Sequence, residues 1–183
     1  MPESASETFI ETYSGRRVDP FDASPADVHL PDVAAGLAHT CRFGGHCTRF
    51  YSVAEHSLHV SRELPADRPR LQLFGLLHDA GEAYLGDVPR PLKARFESFE
   101  RAEARLLGVV WEALAVNPPT ADEWDRVTVA DDRLLAYEAT ELLEDGSWVD
   151  DSPDLGYELG GASPDAIRSA FLDRAETLLG RVE

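Results

Sequence analysis

Lysine is nearly missing from this chain of 183 residues: Lys93 is the only one. Basic residues number 17 against 34 acidic ones, a formal net charge of −17. Such a surface repels nucleic-acid backbones and anionic membranes, so neither a nucleic-acid polymer nor a membrane is expected as partner. Abundant carboxylates with almost no lysine also suit a salt-adapted, halophilic protein. Its self-repulsion is screened at high salt, and it is expected to melt higher in molar KCl than at low salt. Long apolar runs are missing too, and MPESASETF has no basic stretch followed by an apolar one. A cytoplasmic protein is expected. Cysteine is scarce: Cys41 and Cys47, in CRFGGHC, are read as plain thiols. A zinc site of Cys41, His46 and Cys47 lacks a fourth ligand nearby.

What is present suits one domain over 1–183. Hydrophobic residues make up 43%, enough for a sizeable core. The segment FIETYSGRRVDPFD alternates weakly, and Ser14-Gly15 is placed to turn a short hairpin. The rest reads as helices. PDVAAGLAHTCRF opens after Pro31 with Asp32 in its first turn. Residues 52–64 begin at Ser52 with Glu55 three residues on, a capping-box pattern. A central helix is expected over about 68–85 with Asp67 as cap, then a long one over 91–116. Another spans 120–144, with Thr120 and Glu123 at its start. A Gly- and Pro-rich loop covers 145–163, and a last helix runs over 163–180. The predicted fold is all-α, about six helices with a small N-terminal hairpin.

Polar residues interrupt these apolar helices in a pattern. The histidines are His29, His39, His46, His56, His59 and His78, and none follows. His56 falls on one predicted helix, His78-Asp79 on the next, and Asp131 and Asp132 on a third. Two imidazoles and carboxylates from three helices suit one divalent ion. Glu82 follows His78 by four residues and Asp79 by three, so it sits one turn along the same face, within reach of a water on the ion's open side. Asp87 follows in a GlyAspValPro turn. His59, one turn from His56, is expected on the helix surface or behind the ligands.

The order His56, His78-Asp79, Asp131 resembles the H…HD…D signature of the HD-domain phosphohydrolases. Four segments extend the likeness over about 8–145: TyrSerValAlaGluHisSer (51–57), HisAspAlaGlyGlu (78–82), GlyAspValProArgProLeuLys (86–93) and AlaAsp (130–131). They resemble the subgroup that includes the 5′-deoxynucleotidases. The resemblance implies an HD-type helical bundle with His56, His78, Asp79 and Asp131 as metal ligands; the AlaAsp match selects Asp131 over Asp132. It implies Glu82 as general acid/base and Asp87 as a second acid. It implies Arg42 as the phosphate-binding arginine, with Arg49 as an alternative and Phe43 where a base-stacking aromatic stands. His46, Arg90 and Lys93 complete the expected substrate contacts. The cofactor is one divalent ion (Mn, Co, Fe, Mg, Zn or Ni), and a homodimer is implied.

The expected activity is release of phosphate from (deoxy)nucleoside 5′-monophosphates. Another small phosphate ester, a nucleoside triphosphate, or a non-catalytic metal and nucleotide sensor are the alternatives. The absence of histidine after His78 disfavours a dinuclear iron oxygenase and the dinuclear cyclic-dinucleotide phosphodiesterases. Alarmone hydrolases carry an acidic pair where Glu82 is followed by Ala83.

Overall fold

The computed structural model of the chain describes residues 9–182. MPESASET, read above for a leader pattern, and Glu183 lie outside them. The described residues are mostly helical, with one small antiparallel sheet. Its strands are β1 (Ile10–Glu11) and β2 (Arg17–Val18), in register Ile10 to Val18 and Glu11 to Arg17. Gly15, at φ 80°, makes the turn where it was expected. The hairpin hangs on one buried carboxylate: Thr12 Oγ1, Ser14 N and Ser14 Oγ all donate to Asp32, at 2.8–2.9 Å.

The helices are α1 (Leu30–His39), α2 (Val53–Glu63), α3 (Pro69–Leu77), α4 (Glu82–Leu85), α5 (Arg90–Lys93), α6 (Glu97–Ala113), α7 (Ala121–Leu142) and α8 (Pro164–Val182). Six are nine residues or longer, in line with the expected bundle. α2 and α3 pack together at the centre, with α1, α7 and α8 around them. Tyr51, Leu73, Phe74, Leu76, Leu134 and Phe171 are fully enclosed there. Each such side chain contributes about 1.5–3 kcal/mol by leaving water. No helix among the described residues is long and apolar enough to cross a membrane.

The caps follow the sequence closely. Ser52 accepts from Glu55 N, and Thr120 with Glu123 forms a full capping box. Glu55 does not complete a box of its own; its carboxylate accepts from Gly160 N at 2.9 Å instead. That bond ties the 145–163 loop to α2, and Arg49, in the segment before α2, donates Nε to Leu159 O at 2.7 Å.

Two expected helices are broken. The run expected over 68–85 has Arg68, not Asp67, at its cap position, and it stops at Leu77 before resuming as α4. Between them Ala80 N bonds Leu77 O and Glu82 N bonds Asp79 O. These are i→i+3 bonds, so the ladder tightens through His78–Gly81. The run over 91–116 divides into α5 and α6 at Phe96, whose backbone is non-helical (φ −130°, ψ 78°). The break turns Lys93 back onto Glu82 and Glu103 (2.7 and 2.6 Å), which a straight helix would not allow. α1 and α4 touch closely: a Cβ on Gly36 would lie 2.6 Å from Ala83 O.

Candidate metal centre

Three helical regions bring their polar side chains to one point. His56, in α2, has no exposed surface. Its Nδ1 lies 2.6 Å from Glu138 Oε1, so the proton is held on that side and Nε2 points the other way. His78, at the end of α3, uses Nδ1 on Gly75 O at 2.8 Å, which again frees Nε2. The two Nε2 atoms face each other at 3.3 Å. Asp79 Oδ2 stands 3.3 Å from His78 Nε2 and 3.7 Å from His56 Nε2. Asp131 Oδ1, from α7, stands 3.1 Å from His56 Nε2 and 3.8 Å from His78 Nε2. His56, His78 and Asp79 present donor atoms all within 4.8 Å of one another, and Asp131 reaches both imidazoles from α7.

These spacings are the ones a cation needs. Ligands about 2.1 Å from one ion stand about 3.0–3.5 Å apart in octahedral or tetrahedral geometry. Two imidazole nitrogens and two carboxylate oxygens suit a borderline divalent ion. Electrostatics agrees. Burial works against charging His56 and His78, yet the neighbouring carboxylates outweigh it and raise both. Burial likewise opposes ionised Asp79 and Asp131, and the imidazoles outweigh it and hold both low. Positive charge is therefore favoured at this point, and a divalent ion held by His56, His78, Asp79 and Asp131 would supply it in place of the imidazole protons.

Asp132 does not take part. It is half exposed and pairs with Arg90 Nη1 at 2.7 Å, while Arg90 Nη2 donates to Asp131 Oδ2 at 2.8 Å.

Beside this point opens a cavity of about 440 Å³. Glu82 stands on its wall with only 2% exposure. Lys93 holds Oε1 at 2.7 Å, and Oε2 is buried without a partner. Burial and then the Asp79 charge push the Glu82 carboxyl well up; Lys93 opposes them. Asp87, Phe43, Arg42 and Arg90 line the same cavity. Arg42 is deeply placed, with Nη2 on Glu138 Oε2 at 3.0 Å and Nη1 3.8 Å from Asp79. His46 and Arg49 do not line it: His46 is exposed, and Arg49 is spent on Leu159. Cys41 and Cys47 carry free thiols; Cys47 Sγ donates to Arg42 O at 3.2 Å, and burial pushes it up to about 12.

The sequence reading missed Glu138. It is fully buried, and it joins His56, Arg42 and Tyr51, whose hydroxyl donates to Oε1 at 2.8 Å. The same hydroxyl lies 3.0 Å from His59 Nδ1. His59 is thus behind the cluster and not on the surface. A carboxylate on the far nitrogen of a ligating histidine fixes its tautomer and orientation. The available signal was spacing: Glu138 lies seven residues after Asp131, two turns along one face of α7.

Fold and site together define a helical protein with a His/Asp cluster able to hold a metal ion. No family model matches the chain. It is 35% identical over 142 residues to YfdR, an uncharacterized protein of Escherichia coli K12, covering 77% of this chain and 76% of that one. The chain belongs to the YfdR family. An uncharacterized protein of Rhodobacter capsulatus is 47% identical over 104 residues, 53% of each chain.

Proposed function

We propose that the protein is a divalent-metal-dependent phosphohydrolase of the HD-domain type, releasing phosphate from (deoxy)nucleoside 5′-monophosphates. One observation carries this reading. Glu82, whose Oε2 is buried without a partner, lines the same cavity as Asp79 and Asp131, two of the four candidate ligands.

When bound, a divalent ion supplies Lewis acidity, polarising a phosphoryl oxygen and lowering the pKa of a water from about 15.7 towards 7. Glu82 Oε2 is the free acceptor for that water's proton. Lys93 fixes Oε1, so only one oxygen is available, and Lys93 acts on Glu82 more than on a phosphate. Asp87, on the cavity wall, is placed to steer a proton to the leaving alkoxide. Arg90 is the adaptable cation. Its side chain is 61% exposed, and its contacts to Asp131 and Asp132 are exchangeable for a phosphate dianion. Arg42 contributes positive charge from below while holding Glu138 and Asp79 in place.

The test uses protein stripped of metal, then reloaded with Mn²⁺, Co²⁺ or Mg²⁺ and offered a panel of phosphate esters. Phosphate release that depends on the metal is expected. Glu82→Gln is expected to lower kcat by about 10²–10⁴-fold while metal content stays at the wild-type level. No release from any ester with any metal overturns the reading, and full activity in Glu82→Gln removes that residue from it.

A further inference from the structure

The charged half of the cavity accounts for a phosphate, but the cavity has another half. Phe43, Val88, Pro89, Pro91, Leu135 and Trp148 line it, and phosphoryl chemistry gives them no task. At about 440 Å³ the space lies within the range of small-molecule sites, large enough for more than a phosphate. The apolar residues come from separate parts of the chain. Residues 43–44 and 88–91 lie together, and a Cβ on Gly44 would lie 3.7 Å from Pro89 Cγ. Leu135 of α7 and Trp148 of the 145–163 loop line the same cavity.

Trp148 is the unusual member. It is 59% exposed, with its indole left in water instead of in the core. Its position is built and not incidental. The loop folds back on α7 at Gly146, where a Cβ would meet Ala139 O at 2.7 Å. Farther along, Arg49, Glu55 and Tyr137 each bond the loop backbone. Phe43, where the family likeness suggests a base-stacking ring, is differently placed. The Arg42 guanidinium lies 5.4 Å from its ring centroid, and its backbone is left-handed, at φ 57°.

We propose that Trp148 is a specificity-determining residue that stacks on the planar base of the substrate, in the cavity it shares with Phe43 and Pro89. This rests on the nucleotidase reading given above. A flat heteroaromatic ring gains contact area on the indole with little ordering cost, because the loop is already tied down.

The experiment compares wild type with Trp148→Phe and Trp148→Ala, using deoxynucleosides, which carry no phosphate, alongside deoxynucleoside monophosphates and glycerol phosphate. Deoxynucleosides are expected to quench tryptophan emission in wild type and not in Trp148→Phe, which keeps Trp111 and Trp124. Trp148→Ala is expected to raise KM for the monophosphates roughly tenfold more than KM for glycerol phosphate. Equal effects on both esters, or quenching that survives in Trp148→Phe, overturn the inference while the hydrolase reading stands. Quenching with no phosphate release from any ester keeps the stacking and sinks the hydrolase. Neither quenching nor release overturns both.

Discussion

Two ion pairs flank the same stretch of α7 at similar distances. Arg42 meets Glu138 at 3.0 Å with side-chain exposures of 11% and 0%; Arg90 meets Asp132 at 2.7 Å with 61% and 54%. Distance alone would rank them equal. The buried pair is also locked to His56 and Tyr51, so removing one member leaves charges stranded in low dielectric. The exposed pair is solvated on both sides and competes with water throughout. One pair fixes geometry, and the other is free to trade partners. A binding site needs both behaviours, on opposite sides of the same imidazoles.

Substitutions separate the two sides by size of effect. Glu138→Ala strands Arg42 and frees His56 Nδ1, and it is expected to cost about 3–5 kcal/mol in chemical denaturation. Where the variant folds, metal affinity falls about 10–100-fold by equilibrium titration. Unchanged stability would make the buried pair no different from the exposed one.

His59 tests the buried side by pH. Burial first, and then Arg62, lower its pKa to about 4 from an ordinary value near 6.5. The unfolded chain therefore binds the extra proton between pH 4 and 6.5. The stability that comes from keeping His59 neutral is complete above about 6.5 and is lost as pH falls towards 4. The difference is about 3 kcal/mol at most. In His59→Gln, denaturation curves across that window are expected to be flatter than in wild type; parallel pH profiles would refute the assignment.

Arg90→Gln is the small effect on stability, less than about 1 kcal/mol, because Arg90 and its partner Asp132 are both solvent-exposed. Its expected signature is a raised KM for phosphate esters at unchanged melting temperature. A large loss of stability would place Arg90 with the buried pair instead.

Much of this arrangement is legible in the chain. Ser52, Thr120 and Gly15 act locally, through bonds to residues three positions away, so short patterns reveal them. His56, His78-Asp79 and Asp131 are legible because polar residues inside apolar helices demand partners. Glu138 is chemically of the same kind, yet it is one of 34 acidic residues and nothing adjacent marks it. Its importance comes from Arg42 and Tyr51, 96 and 87 positions away. The breaks at 78–81 and 94–96 are tertiary too. Local propensity continues both helices; the contacts of Lys93, and the closing turn at His78, interrupt them. Trp148 lies in a loop without periodicity, so only the folded path of 145–163 reveals what it faces.

The contact between Gly36 and Ala83 brings α1 up against the short helix that carries Glu82. Ala83 is next to Glu82, and α1 rests on its backbone with a hydrogen where any other residue has a carbon. The gap between those helices acts as a shim behind Glu82. A side chain at residue 36 would press on that backbone and force Ala83, the neighbour of Glu82, to shift.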